Sequence, residues 1–169
     1  MARVAITGIG LLTPLGIGTE PTWEALLEGR SAVGPIRSFD ATSLRSNLGA
    51  ELEGFEPEQY ASRKTLRSTT RNDQLAIGGA ALAAQSAGIE AVDDGDRAGL
   101  FVASGKEISN LGPILEGFYT ARKPDGSVDV SLLGEGASSV LRPLFYVEGL
   151  QAASLFYISQ AYGLKGANT

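Results

Sequence analysis

Apolar positions fall into two rhythms along the chain. Arg3–Thr7 (RVAIT) is a short β-branched run closed by Gly8, and that pattern predicts a buried strand. Arg97–Gly105 (RAGLFVASG) predicts a second one, running into a Gly turn. Between them, Ser62–Gly88 carries Leu66, Leu75, Gly78 and Leu82 at helical spacing among many alanines, which predicts the longest helix. Its Gly78-Gly79 pair costs about 1–2 kcal/mol of helix propensity, which a close backbone contact there would explain.

Other segments follow the same logic. Thr19 can N-cap a helix with Glu20 and Pro21 in its first turn, a buried face of Trp23, Leu26 and Leu27, and Gly29 as its C-cap. Ser31–Tyr60 has turns and no clear period. Leu111–Val130 predicts a short helix and then a turn around Pro124-Asp125-Gly126. Tyr146–Gly163 is apolar nearly all round, as a central core helix would be. Strands alternating with helices indicate an α/β fold.

The 169 residues suit one domain with a real core, and 43% apolar and 20% charged residues are ordinary for a globular protein. A net charge of −5 argues against nucleic-acid binding, which needs a basic face. Zero cysteines exclude disulfides and a thiol nucleophile, and zero histidines remove the usual general base and the commonest metal ligand. Gly8, Gly10 and Pro14 interrupt the apolar opening, so neither a signal peptide nor a membrane span is expected. The expectation is a soluble cytoplasmic protein without cofactor or metal.

Three stretches bear on chemistry. GIGLLTPLGIG (Gly8–Gly18) follows the first strand, but its glycines miss the G-x-G-x-x-G spacing of a phosphate loop, so it reads as a connection. Arg63, Lys64, Arg67 and Arg71 cluster on one helical stretch. They fit either a solvated face or a dock for an acidic partner. Lys106 and Glu107 are either a surface ion pair or, in a cleft, residues that change what the cleft accepts.

Taken together, VAITGIGLLTPLG, TWEALLEGRSAVGPI, SRKTLRSTTRNDQLAIGGAALAAQSAG, RAGLFVASG and AYGLKGANT resemble the N-terminal half of the β-ketoacyl-acyl-carrier-protein synthases, nearly end to end. The resemblance implies an α/β thiolase-like fold, the first half of a five-layered αβαβα sandwich. Residues 1–169 would then be an N-terminal ketosynthase half, incomplete without a C-terminal half. In the family a cysteine takes the acyl chain and two histidines promote decarboxylative Claisen condensation with malonyl carrier protein. By resemblance the cysteine elbow begins a few residues beyond Thr169 and both histidines follow it, so no catalytic residue lies in this chain.

The resemblance also suggests where the surroundings of that chemistry lie. Lys106, Glu107 and Ile108 stand where an apolar gate of the acyl channel is usual, and with Phe145 and Phe156 they are candidates for the acyl tunnel. Arg63, Lys64 and Arg67 match a segment near the carrier-protein docking surface, and Arg122 and Lys123 are candidates to join them. Ala152–Phe156 replaces the usual Asn-Met-x-x-Gly run, and Gly166-Ala167 replaces Gly-Pro. These departures admit a second role, a non-catalytic chain-length-factor-like partner shaping the tunnel of a paired ketosynthase. The implied partners are a C-terminal half, a second ketosynthase-family subunit in a homo- or heterodimer, and acyl carrier protein.

Overall fold

The computed structural model describes residues 3–104, 112–140, 150 and 152–169. Its order is β1 (Leu12–Thr13), β2 (Gly16–Ile17), α1 (Thr19–Leu27), β3 (Val33–Pro35), β4 (Leu48–Ala50), α2 (Arg63–Leu66), α3 (Arg71–Ala87), α4 (Gly112–Thr120), α5 (Val130–Val140) and α6 (Ala153–Tyr162). Single turns of 3-10 helix cover Pro57–Gln59 and Gly95–Arg97. β1 pairs antiparallel with β2, and β3 with β4, in two separate hairpins.

The longest helix among the described residues is α3, and β1, the Pro57–Gln59 turn and α6 pack against it. Its start is a capping box: Thr70 Oγ1 accepts from the Asp73 amide at 3.2 Å, and Asp73 Oδ2 accepts from the Thr70 amide at 2.9 Å. Its end is Gly88, whose φ of +68° favours glycine over any side chain. The expected continuous helix from Ser62 to Gly88 is therefore two helices. The break falls at Arg67–Thr70, where hydroxyls compete for the backbone: Thr69 Oγ1 donates to the Leu66 carbonyl at 3.0 Å, and Thr70 turns to cap α3.

The chain entering from Gly8 to Gly10 crosses α3 backbone to backbone. A Cβ on Gly10 would collide with the Gly79 carbonyl, and one on Gly8 would come within 2.7 Å of the Ala87 amide nitrogen. Gly78 faces another way, where a Cβ would sit 2.8 Å from the Phe55 ring and 3.1 Å from Leu12. That ring is buried, stacks on Tyr60 at 5.6 Å, and lies 4.8 Å beneath the Arg71 guanidinium. The close contact expected at Gly78-Gly79 is thus made at Gly78 by side chains, while at Gly79 only the carbonyl is approached by backbone and a Cβ would meet nothing within 4 Å. On a further side α6 packs against α3, with Ile77 and Ile158 buried. α4 and α5 pack on each other, joined by the expected turn, in which the Gly126 amide donates to the Lys123 carbonyl at 2.9 Å.

Several expectations are corrected. Arg3–Thr7 is in no strand among the described residues, and Val4 and Ile6 are 95% and 84% exposed, so it is not the buried strand expected. A strand is a property of pairing as much as of composition, and no neighbour among the described residues bonds to it. In the second expected strand the Ala98 carbonyl accepts from the Gly166 amide, Leu100–Val102 pairs with Ala167–Thr169, and Phe101 is exposed. Gly105 lies outside the described residues. α1 buries Thr22 and Ala25 instead of Trp23, Leu26 and Leu27, because the Thr22 hydroxyl reaches into the β1–β2 hairpin, where it donates to the Gly16 carbonyl at 3.2 Å. Its N-cap is Gly18 and its C-cap Glu28, one residue before each expected cap. Of the expected core helix, Ala153–Tyr162 is helical and buries Ala153, Ser154 and Ile158, while Phe156 is exposed. Among the described residues no helix is long and apolar enough to cross a membrane.

The two adjacent glycines of α3 should respond oppositely to alanine. Gly78→Ala overpacks Phe55 and Leu12 and should lose about 1–3 kcal/mol. Gly79→Ala meets nothing within 4 Å among the described residues and should gain about 0.5–1 kcal/mol from helix propensity. Urea unfolding midpoints of the two variants check this; equal effects would contradict the packing described.

Candidate functional site

α2 is one turn long, and it exists because Ser62 caps it, its hydroxyl accepting from the Thr65 amide at 3.2 Å. The turn gathers three cations: Arg63, Lys64 and Arg67 are all exposed, and none has an ion-pair partner among the described residues. Arg71, the fourth member of the cluster in sequence, is turned instead onto the Phe55 ring. Behind the trio, the Ser68 and Tyr157 hydroxyls share a hydrogen bond of 2.5 Å. That bond ties the α2–α3 junction to α6, a link between positions far apart in sequence that no local pattern signals.

Arg122 and Lys123 are exposed on the turn between α4 and α5, a different element from α2. Lys123 pairs with Asp129 at 3.3 Å. The Ser131 hydroxyl, and then Lys123, hold the Asp129 carboxyl below its ordinary range. Ser127 does the same for Asp125, its hydroxyl donating at 2.6 Å. This turn is thus internally satisfied, whereas the α2 trio is free to meet a partner. Of the tunnel candidates, Lys106, Glu107, Ile108 and Phe145 lie outside the described residues. Phe156 is 59% exposed, with its ring edge-on to Tyr157 at 5.3 Å.

Two clefts accompany these features. One of about 520 Å³ lies between the two hairpins, lined by Pro14, Leu15, Pro35, Arg37, Glu51 and Glu53 among others. Its charges are already paired: Arg37 bonds Glu53, and Glu51 accepts from the Arg37 and Ser38 amides at 3.0 Å each. The other, about 320 Å³ and mainly apolar, is lined by the alanines of α3 together with Leu100, Ile158 and Tyr162. Burial raises the Tyr162 hydroxyl above its ordinary pKa, so it stays neutral there. Among the described residues no group of three or more His, Cys, Asp or Glu is placed to hold a metal ion.

The third feature is a track of backbone hydrogen bonds beside the apolar cleft. Leu100 donates to Ala167 at 2.9 Å, Thr169 to Leu100 at 3.1 Å and Val102 to Thr169 at 2.8 Å, a short parallel ladder. Sequence reading missed it, because Ala167-Asn168-Thr169 carries no apolar run to announce a strand.

Comparison with known proteins agrees with this layout. The family profile described as "Beta-ketoacyl synthase, N-terminal domain" matches residues 1–168. A 3-oxoacyl-[acyl-carrier-protein] synthase 2 from Coxiella burnetii is 32% identical over 166 residues, which are 98% of this chain and 37% of that protein. A Streptomyces rimosus protein named for a β-ketoacyl synthase 1 of oxytetracycline polyketide synthesis is 37% identical over 102 residues, 60% of this chain and 24% of its own. Among solved structures, a β-ketoacyl synthase from Burkholderia phymatum superposes with a TM-score of 0.70 at 25% identity, over 100% of this chain and 39% of that one. The α/β thiolase-like fold expected from sequence is therefore present, and the chain spans well under half the length of these relatives.

The α4–α5 turn should lose order in acid. Asp125 and Asp129 have lowered pKa values when folded, so they stabilise the turn above the unfolded carboxylate pKa of about 4. That contribution should vanish as pH falls through the lowered folded values. A carboxyl NMR titration in which both groups show pKa values at or above those of a model peptide would contradict it.

Proposed function

Because the chain belongs to the β-ketoacyl synthase family, as its N-terminal domain, we propose that it is part of a ketosynthase-family subunit of fatty-acid or type II polyketide synthesis. Such a subunit extends an acyl group by a malonyl-derived unit on acyl carrier protein, with loss of carbon dioxide. The observation that carries this reading is the 32% identity with a 3-oxoacyl-[acyl-carrier-protein] synthase 2 over 98% of the chain.

Residues 1–169 contain neither cysteine nor histidine. In this reading the nucleophile and both histidines come from a C-terminal half, on the same or a separate polypeptide, and the chain alone is inactive. The exposure of Val4, Ile6 and Phe101 supports an incomplete unit, since large apolar side chains are usually covered. What this chain contributes is scaffold and docking. The cations of α2 would draw an acidic carrier protein and orient it, acting on encounter more than on residence. Arg122 and Lys123 would extend that surface only at its margin, because Lys123 is already held by Asp129. The subunit would work in the cytoplasm as a homo- or heterodimer with another ketosynthase-family chain, without nucleic acid, membrane, metal or cofactor. Nothing in the described residues favours the chain-length-factor role over this one.

The reading is tested on the complete subunit. It should release carbon dioxide from malonyl carrier protein and form a 3-oxoacyl product; failure to do either would contradict it. Reversing charge with Arg63→Glu, Lys64→Glu and Arg67→Glu together should weaken carrier binding about tenfold at low salt, with the difference shrinking as salt rises. Unchanged affinity at low ionic strength would remove the docking role from α2.

A further inference from the structure

The segments 92–102 and 162–169 run alongside each other in one continuous track of main-chain bonds. Val92 donates to the Tyr162 carbonyl at 3.1 Å, Lys165 to Gly95 at 2.8 Å, and Gly166 to Ala98 at 3.0 Å. The ladder of Leu100 and Val102 with Ala167 and Thr169 follows directly. At three positions along it the two backbones meet where a side chain is absent. A Cβ on Gly95 would collide with the Gly163 carbonyl. On Gly99 it would stand 2.8 Å from the Ala167 carbonyl, and on Gly166 2.8 Å from Ala98 and 2.9 Å from Asp96. The turn at the top is held as well, because Gly163 takes φ +70° and the Ser159 hydroxyl donates to the Leu164 carbonyl at 2.5 Å.

We propose that Gly95, Gly99 and Gly166 are positioning residues that lock the chain leaving α6 into a single register against Leu100–Val102. The physical reason is the two-residue period of strands. Slipping by one residue would turn each side chain of Ala167–Thr169 to the opposite face of the ladder. The small and polar side chains of Ala167–Thr169 give little packing to resist such a slip. The glycine contacts above it can, because a carbonyl seated against a glycine Cα has no equivalent seat one residue away. The 3-10 turn Gly95–Arg97 therefore acts as a template, its own Ala98 amide bonded back to Gly95 at 3.1 Å. The lock itself stands without the ketosynthase reading. Its bearing on catalysis rests on that reading, in which the strand begun at Ala167 leads toward the acyl-accepting residue.

Residues 1–169 carry no cysteine, so a cysteine pair introduced among them reports the register directly. Leu100 and Asn168 are bridge partners, so a Leu100→Cys/Asn168→Cys pair should react readily with a short thiol cross-linker. A Leu100→Cys/Thr169→Cys pair, with side chains on opposite faces, should react poorly. Adding Gly166→Ala, or the milder Gly99→Ala, should abolish this preference while circular dichroism retains the helical signal. The same preference should persist with Gly34→Ala, where a Cβ meets nothing within 4 Å. Retention of the in-register preference in folded Gly166→Ala and Gly99→Ala would overturn the proposal. Should both variants fail to fold, native-state hydrogen exchange of the unaltered chain decides. The Lys165, Gly166, Leu100, Thr169 and Val102 amides exchanging as one unit supports the lock, and independent exchange overturns it. None of these readouts uses enzymatic activity, so they are separate from a failure of the proposed function.

Discussion

Two backbones pressed together without intervening side chains set the terms for this structure. Where Gly8–Gly10 crosses α3, the carbonyl of Gly79 and the amide of Ala87 occupy the space in which a Cβ would project. Such a contact tolerates almost no variation, and its consequences spread along both elements. α3 must carry small residues on that side, so its packing comes from Phe55, Leu12 and α6 on the others. The N-terminal segment is directed past the helix, leaving Val4 and Ile6 in the open. A second crossing of the same kind, between 92–102 and 162–169, governs the other end of the chain.

Much of α3 was legible in the sequence because its signals are local. The Gly78-Gly79 pair announced a close approach, Gly88 announced the end, and Pro124-Asp125-Gly126 announced the turn between α4 and α5. The break at Arg67–Thr70 was written there too, in three consecutive hydroxyl residues, but apolar spacing masks a change that hydrogen bonding decides. The burial of α1 was not legible. Its large residues promised a core face, whereas the Thr22 hydroxyl and the small Ala25 are what the β1–β2 hairpin accommodates.

The strands were the least legible, for a general reason. A β-branched run says that a segment suits pairing but not whether a partner is at hand. Arg3–Thr7 suits it and has none among the described residues, while Ala167–Thr169, with no apolar signature, is paired. At the candidate site, the cationic trio could be read directly from spacing. The diversion of Arg71 to Phe55 and of Lys123 to Asp129 needed three dimensions.

These features describe a scaffold that is internally well bonded yet leaves apolar surface around Val4, Ile6 and Phe101 uncovered. Under the proposed function, these side chains are where the remaining portion of a ketosynthase subunit would pack. Amide hydrogen exchange over Arg3–Thr7, compared between residues 1–169 alone and the same residues within the complete subunit, decides this. The expected result is fast exchange in the isolated chain and strong protection in the complete one. Equal exchange in both would contradict it.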